Sequence, residues 1–287
     1  MAWVLGAVLG VGMAAHAAAA CLSDEAVAQW VQHYEARTPA TNPPAGMTAA
    51  DAACTRAKLQ AAIEPKLGKA VGYKAGLTNP AVQKRFNTDQ PVWGRLYEAN
   101  LVESGATVPA KFGARGLFEG DLLVRVASAD INRAKTPEDV LAAVDQIIPF
   151  MELPDLLVEN PKQLDGAGIT AINVGARLGV MGKPLPVPAD HKARQSLLAE
   201  LREMKVVLKD DSGKELTSGK GSDVLGQPLN AVVWLAGALA ESGQTLKPGD
   251  LVSLGSFSAL LPPEAGLRVT LDYEGLTGAE PVVVKFE

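Results

Sequence analysis

The sequence is poor in the residues on which several common catalytic chemistries depend. Its 287 residues include three histidines and two cysteines. His33 lies in a predicted solvent-facing helix and His191 in a polar loop or helix start, so neither is placed as the base of a catalytic triad. The chain also lacks a G-x-S-x-G elbow, a P-loop, a GxGxxG loop after a strand and a Cys/His zinc cluster. These absences leave chemistry that uses carboxylates, a metal ion or a lysine.

Positive charge is scarce and dispersed. The chain has 27 Lys and Arg against 32 Asp and Glu, a formal net charge of −5, and no segment is rich in basic residues. This balance argues against nucleic acid and anionic membrane surfaces as principal partners. A hydrophobic content of 47% with 21% charged residues is typical of a globular protein with a large core.

Residues 1–20 carry no acidic or basic side chain apart from one histidine and end in a run of four alanines. This pattern predicts a signal peptide, cleavage before Cys21 and export to the periplasm. The missing basic residue before the apolar run leaves a mis-assigned start of a cytoplasmic protein, or an uncleaved anchor, as alternatives. Lipidation of Cys21 is less favoured. A disulfide between Cys21 and Cys54 is feasible in an oxidising compartment, and two free thiols are the alternative. No later segment is long and apolar enough for a membrane span.

Two helices are predicted before the first strand, the first capped by Ser23 and the second by a capping box that starts at Thr48. Thr136 caps another helix, which we expect to run through Ile147 and deliver Glu152. A strongly apolar helix is predicted over 229–242 and one arm of a hairpin over 204–209. Short strands are predicted over 251–254, 267–273 and 281–286.

The order of these elements predicts one α+β domain over residues 21–287. We expect a helical part over 21–70 and a strand-rich body over 71–287, because no Gly-, Ser- or Pro-rich linker divides the chain.

Three carboxylates form a candidate metal site. Glu119 and Asp121 lie two residues apart in a predicted strand, so their side chains share one face, with Cα atoms roughly 7 Å apart. Glu152 lies in an apolar run, where a divalent cation would relieve the cost of burying its charge. Three carboxylates without histidine suit Mg²⁺ or Mn²⁺. In the alternative interpretation, Glu119 and Asp121 form a turn and Glu152 is exposed at a helix end.

Lys74 is a candidate for proton transfer. It lies in the apolar segment 71–77, where burial would lower its pKa. The alternative is a lysine at a strand edge whose ammonium group reaches solvent.

Several segments in a fixed order carry a resemblance to a known family. They are GYKAGLT (72–78), TDQP (88–91), EGD (119–121), TPEDV (136–140), Glu152, PLNAVVWL (228–235), LKPGD (246–250) and GSF (255–257). Their order and spacing resemble the 2-keto-4-pentenoate hydratase and 2-oxo-3-hexenedioate decarboxylase family, within the fumarylacetoacetate hydrolase superfamily. The resemblance covers the chain from about Ser23 to the C-terminus.

This resemblance implies a fumarylacetoacetase-type fold, a mixed β-sandwich or roll with helices outside, in a homo-oligomer. It also implies lyase chemistry on a small 2-hydroxydienoate or 2-oxo-enoic acid, by addition of water or by loss of CO₂. The metal ligands, for Mg²⁺ or Mn²⁺, fall on Glu119, Asp121 and Glu152, and the catalytic positions on Lys74, Asn173 and Ser256. The family usually has glutamate where this chain has Asp121.

Two further departures from the family pattern affect the expected chemistry. Hydratases of the family typically carry Pro-Asp-Phe-Gly where this chain has Val92 after proline, so a proton-transfer acid is missing. The segment 169–176 keeps Asn173 but loses the polar neighbours of the family pattern. Asp89 or Glu98 is a candidate replacement acid. A catalytically impaired protein that binds a metal ion or a 2-oxo acid is therefore the alternative to an enzyme.

Overall fold

The computed structural model describes residues 21–287, so the predicted signal peptide lies outside the described residues. The α-helices are α1 (Asp24–Ala36), α2 (Ala49–Leu67), α3 (Pro80–Arg85), α4 (Pro137–Ala143), α5 (Gly166–Ala171), α6 (His191–Glu203) and α7 (Asn230–Glu241). The strands are β1 (Ala70–Gly76), β2 (Val92–Tyr97), β3 (Leu101–Glu103), β4 (Thr107–Val108), β5 (Glu119–Val126), β6 (Val144–Leu153), β7 (Leu178–Met181), β8 (Leu185–Pro186), β9 (Lys205–Lys209), β10 (Glu215–Lys220), β11 (Leu251–Ser253), β12 (Arg268–Glu274) and β13 (Val282–Phe286).

The strands form two mixed sheets. The larger has the order β2-β1-β11-β5-β6-β7-β3, with β8 paired to β6, and the smaller has the order β10-β9-β12-β13-β4. Parallel pairs join β1 to β11, β3 to β7 and β4 to β13, while the other pairs are antiparallel. The α+β class predicted from the sequence is confirmed.

The main core lies between the two sheets. Leu122 and Val124 of β5 belong to the same buried cluster as Val206 and Leu271 of the smaller sheet. A Cβ added at Gly120 would lie 2.7 Å from the Val206 side chain, so this face of β5 packs directly on the second sheet. Because side chains alternate along a strand, the residues beside Gly120 point to the opposite face.

The N-terminal helices form as local signals predict. The side chain of Ser23 accepts a hydrogen bond from the first turn of α1, and Thr48 and Asp51 form the predicted capping box of α2. Cys21 and Cys54 form a disulfide with 5.7 Å between their Cα atoms, which links the start of α1 to α2. These helices belong to a second buried cluster, which also contains Tyr97 of β2.

The predicted helix from Thr136 to Ile147 is wrong in its second half. Thr136 caps α4 as expected, but the helix ends at Ala143 and β6 begins at Val144. Glu152 is therefore a strand residue and not a helix-end residue. The segment 144–153 is buried almost throughout and pairs with strands on both sides, so sheet packing decides its structure.

The hairpin arm and the C-terminal strands are confirmed as β9, β11, β12 and β13, and the apolar helix as α7. In residues 21–287, no helix combines the length and the apolar character needed to cross a membrane.

Candidate active site

Two of the predicted carboxylates face each other across neighbouring strands. Glu119 of β5 and Glu152 of β6 are register partners in an antiparallel ladder. Directly opposite residues in such a ladder have Cβ atoms roughly 5 Å apart, and like charges at these positions repel each other. Glu119 is 5% exposed and Glu152 is 2% exposed, so solvent does little to screen this repulsion.

Lys74 supplies the opposite charge from β1. It is buried, and its Nζ donates a hydrogen bond to Oε1 of Glu152. Burial lowers the pKa of Lys74 to about 8, although the charges of Glu119 and Asp121 act in the other direction. Lys74 is therefore buried, and the alternative of a lysine at a strand edge with a solvated ammonium group is wrong.

The carboxyl group of Asp121 accepts hydrogen bonds from the neighbouring strand and the loop that follows it. Its Oδ1 accepts hydrogen bonds from the backbone N–H groups of Leu254 at 3.1 Å and Gly255 at 2.9 Å. Its Oδ2 accepts a hydrogen bond from the hydroxyl of Ser253. Burial raises the pKa of Asp121 to about 7, against the effect of the Ser253 hydrogen bond. Asp121 thus joins β5 to β11 and fixes the start of the following loop.

A cavity of about 390 Å³ opens over Lys74, Glu119 and Glu152. Its walls are mainly apolar and come from α3, α5 and the loops after β6 and β11. The apolar wall residues include Leu77, Val82, Phe86, Leu117, Leu156, Ile169, Val174 and Leu260. A charged end and an apolar wall suit a small acid with a hydrocarbon tail.

Glu119 and Glu152 fit a divalent cation. Oε2 of Glu119 is buried without a hydrogen-bond partner in the described part of the chain, and burial raises the pKa of this carboxyl group. A hard cation would satisfy that oxygen, and Mg²⁺ is commonly held by one or two carboxylates together with water and substrate oxygens. Asp121 is not among the cavity-lining residues.

The set of three carboxylate ligands, Glu119, Asp121 and Glu152, stays a prediction. Across residues 21–287, no group of three or more His, Cys, Asp or Glu side chains is arranged to hold a metal ion. The Asp121 side chain accepts hydrogen bonds from Ser253 and the loop amides, and its role as the third ligand is not tested by this geometry.

Of the two other predicted catalytic residues, one lines the cavity and one does not. Ser256 lines the cavity, and its hydroxyl donates a hydrogen bond to the carbonyl of Ser258 at 2.5 Å. Asn173 is buried outside the cavity lining. Its carboxamide accepts hydrogen bonds from Gln60 and the Arg95 N–H and donates to the Arg95 carbonyl. The structure gives Asn173 a role in joining α2 and β2.

None of the residues connected with the missing acid lines the cavity. Val92 pairs with Gly76 in the β1–β2 ladder, and Gly76 lines the cavity while Val92 does not. Asp89 and Glu98 are exposed and do not line the cavity. Neither is brought to Lys74 as a replacement acid.

Sequence reasoning missed several polar residues of the cavity, among them Thr78 and Arg85. Thr78 lies at the end of the GYKAGLT segment, and nothing in the sequence indicates that its hydroxyl faces a cavity. Arg85 ends the short helix α3, and only the fold shows that this helix lies over the cavity.

No protein-family model matches the chain. The chain is 32% identical over 212 residues to a 2-hydroxyhexa-2,4-dienoate hydratase from Comamonas testosteroni, covering 72% of this chain and 76% of that protein. It is 29% identical over 236 residues to a 4-oxalocrotonate decarboxylase from Pseudomonas putida, covering 82% of this chain and 86% of that protein.

Solved structures share the fold. A 4-oxalocrotonate decarboxylase from Pseudomonas putida G7, complexed with magnesium and adipate, matches with a TM-score of 0.77 and 26% identity, over 93% of this chain and 100% of that chain. A yeast fumarylacetoacetate hydrolase family protein matches with a TM-score of 0.53 and 14% identity, over 77% of this chain and 94% of that chain. The predicted fumarylacetoacetase-type fold is confirmed.

Proposed function

Because the chain belongs to the 2-keto-4-pentenoate hydratase and 2-oxo-3-hexenedioate decarboxylase family of the fumarylacetoacetate hydrolase superfamily, we propose that it is a metal-dependent lyase of small 2-hydroxydienoic or 2-oxo-enoic acids. The observation that carries this proposal is the juxtaposition of Lys74, Glu119 and Glu152 in one largely apolar cavity. Relatives of the chain are named as hydratases and decarboxylases, and one structural neighbour is complexed with magnesium.

Glu119 and Glu152 would hold the divalent cation, Mg²⁺ or Mn²⁺, with the remaining positions left to water and substrate oxygens. When bound, the cation would supply Lewis-acid polarisation of the 2-oxygen of the substrate. Asp121 supports the site from outside, since its hydrogen bonds fix the loop that contains Gly255.

Lys74 would orient the substrate and carry protons. Its Nζ is buried beside Glu152, and a pKa lowered to about 8 lets it give or accept a proton near neutral pH. Its location at the charged end of the cavity places it near the acid group of a substrate whose hydrocarbon tail contacts Val82, Phe86 and Ile169. We keep Ser256 as a candidate contact residue, since it lines the same cavity, and propose no direct substrate contact for Asn173.

Decarboxylation is the second candidate reaction, and Arg85 favours it. Lys74 and Arg85 are the cationic residues of the cavity lining. A guanidinium group pairs well with a carboxylate, so Arg85 would suit a substrate with a second carboxylate at the far end. Hydration of a monocarboxylic dienoate does not require this second cation.

The test is turnover of 2-hydroxypenta-2,4-dienoate and of 2-oxohex-3-enedioate by the full chain with Mg²⁺ or Mn²⁺. Loss of dienol absorbance without CO₂ supports a hydratase, and release of CO₂ supports a decarboxylase. Metal-dependent binding of pyruvate or oxalate without turnover would support a catalytically impaired binding protein. Val92 and Asp121, which depart from the family pattern, are the reason for this alternative. No binding and no turnover would overturn the proposal.

We also propose that the protein is exported after cleavage before Cys21 and that it forms a homo-oligomer. The disulfide between Cys21 and Cys54 favours an oxidising compartment such as the periplasm. Cell fractionation with N-terminal sequencing tests export, and recovery from the cytosol with Met1 intact would contradict it. Light scattering after size-exclusion chromatography tests the oligomer.

A further inference from the structure

We propose that Thr78 positions the acid group of the ligand, with its hydroxyl as a hydrogen-bond donor to a carboxylate or 2-oxo oxygen bound beside Lys74. This inference rests on the proposed function and identifies a residue that selects ligands carrying an anionic oxygen at this end of the cavity.

Thr78 has a buried hydroxyl without a partner. The residue is 2% exposed, and its Oγ1 makes no hydrogen bond to any described residue. A buried hydroxyl usually has a partner, because leaving it unpaired costs free energy of folding. A ligand that enters the cavity can supply the missing partner, since Thr78 is one of the cavity-lining residues.

Unpaired atoms are concentrated at this cavity. Within residues 21–287, the buried side-chain atoms without a partner are Thr78 Oγ1, Glu119 Oε2 and Arg95 Nε. The first two belong to residues that line the same cavity as Lys74, and Arg95 does not. A ligand bound in this cavity would complete the hydrogen bonding of both groups.

The surroundings fix Thr78 in place. Its carbonyl accepts a hydrogen bond from the N–H of Leu225 at 3.1 Å, which holds the backbone just after β1. On the other side, a Cβ built on Gly255 would lie 2.1 Å from Thr78 Oγ1. Gly255 has a φ of +100°, a region that favours glycine, and this glycine leaves room for the hydroxyl. A positioned donor of this kind loses little freedom when a ligand binds.

The chemistry of the neighbouring groups indicates which ligand group Thr78 contacts. Lys74 brings a positive charge to this end of the cavity, and a threonine hydroxyl donates readily to an anionic oxygen. The carboxylate and 2-oxo oxygens of a small 2-oxo acid provide such acceptors. The unpaired Glu119 oxygen needs a cation or a donor, so it is complementary to a metal ion and not to the acid itself.

Two substitutions at one position test the inference. Thr78→Val keeps the shape and removes the hydroxyl, while Thr78→Ser keeps the hydroxyl. Titration calorimetry with oxalate in the presence of saturating Mg²⁺ should give an affinity about tenfold lower for Thr78→Val, as expected for one hydrogen bond to a charged group. Thr78→Ser should bind within about threefold of wild type, and turnover by Thr78→Val should show a raised KM.

The stability of the unliganded protein separates ligand binding from a structural role. Because the hydroxyl has no partner in the free protein, Thr78→Val should melt at the wild-type temperature or above it. Mg²⁺ affinity without oxalate should also stay unchanged. A lower melting temperature in Thr78→Val would show that the hydroxyl has a partner in the fold, and would overturn the inference.

The remaining outcomes distinguish this inference from the proposed function. If wild type binds oxalate with Mg²⁺ and Thr78→Val binds it equally well, the positioning role is wrong while the proposed function stands. If wild type binds neither oxalate nor pyruvate with Mg²⁺ or Mn²⁺, the proposed function is wrong and the role of Thr78 fails with it.

Discussion

Glu119 and Glu152 are directly opposite each other in the β5–β6 ladder, with both carboxyl groups buried. A pair of like charges in this position lowers the stability of a sheet. Lys74 offsets part of the repulsion through its hydrogen bond to Glu152, while one oxygen of Glu119 has no partner in the described residues. The ladder therefore carries an unfavourable arrangement that a bound divalent cation would relieve.

Replacement of Glu119 by Gln should reduce metal binding without a loss of stability. Mg²⁺ or Mn²⁺ affinity in titration calorimetry should fall at least ~10-fold, because one of two carboxylate ligands is lost. The free energy of unfolding without metal should stay unchanged or rise, since the substitution removes a buried charge. Glu241→Gln at an exposed position of α7 is the control.

The substitution Glu152→Gln distinguishes the role of Glu152 from that of Glu119. It should also lower metal affinity at least ~10-fold, but it leaves Lys74 buried without its partner. Breaking a buried ion pair from one side typically costs about 3–5 kcal/mol, so this variant should unfold at a lower urea concentration. Metal affinity equal to wild type in both variants would show that these carboxylates are not the ligands.

Replacement of Asp121 by Ala should lower the free energy of unfolding. Asp121 accepts hydrogen bonds from Ser253, Leu254 and Gly255, and the variant would leave these buried donors without their acceptor. We expect a loss of about 2–5 kcal/mol in the free energy of unfolding, measured with urea. Unchanged stability together with a large loss of metal affinity would instead make Asp121 a metal ligand.

The local parts of this fold could be predicted from the sequence, because their signals are local. Ser23 and Thr48 cap their helices through hydrogen bonds within one helical turn, so short sequence patterns report them. The apolar run after Gly120 likewise predicts a buried strand that contains Glu119. Predictions of this kind depend only on residues that are close together in the sequence.

The site itself depends on contacts between residues far apart in the chain. The apolar pattern after Thr136 predicts a helix that continues past Ala143. The segment that begins at Val144 instead pairs with β5 and β7 and forms a strand. A short apolar run does not distinguish a buried strand from a helix. The direction of the Asp121 side chain depends on a loop more than 130 residues later, at Leu254 and Gly255. Spacing within one strand could not predict it.

Replacement of Arg85 by Gln should change the choice between substrates. If Arg85 pairs with a distal carboxylate, kcat/KM for 2-oxohex-3-enedioate should fall about tenfold, while that for 2-hydroxypenta-2,4-dienoate should change little. Lys84→Gln is a matched control, because Lys84 is a neighbouring exposed cation that does not line the cavity. An equal decrease for both substrates would assign Arg85 no role in selecting a second carboxylate.

Removal of the disulfide should destabilise the N-terminal helices. Cys21 and Cys54 are 33 residues apart, and closing a loop of that length in the unfolded chain corresponds to about 3–4 kcal/mol. The double variant Cys21→Ser/Cys54→Ser should lose up to this amount in urea unfolding. Addition of a reductant should lower the stability of wild type but not that of the double variant. A reductant effect on both would point to a cause other than this disulfide.

The substitution Val92→Asp tests whether the missing acid limits hydratase activity. Val92 is half-buried and pairs with Gly76, which lines the cavity. A carboxylate introduced next to this wall would provide the proton-transfer group that hydratases of the family typically carry there. Positioned acid–base groups commonly contribute ~10²- to 10⁴-fold in rate. Turnover of 2-hydroxypenta-2,4-dienoate should therefore rise, by up to about 100-fold if the carboxylate reaches the substrate.

Val92→Asn is the matched control, since it has nearly the same shape as the aspartate and cannot transfer a proton in the same way. It should leave turnover at the wild-type level, and both variants should retain Mg²⁺ affinity because Val92 does not line the cavity that holds Glu119 and Glu152. Equal turnover by the Asp and Asn variants would show that an acid at position 92 cannot act on the substrate. Wild-type turnover near the enzyme median of ~10 per second would show that another group already performs this proton transfer.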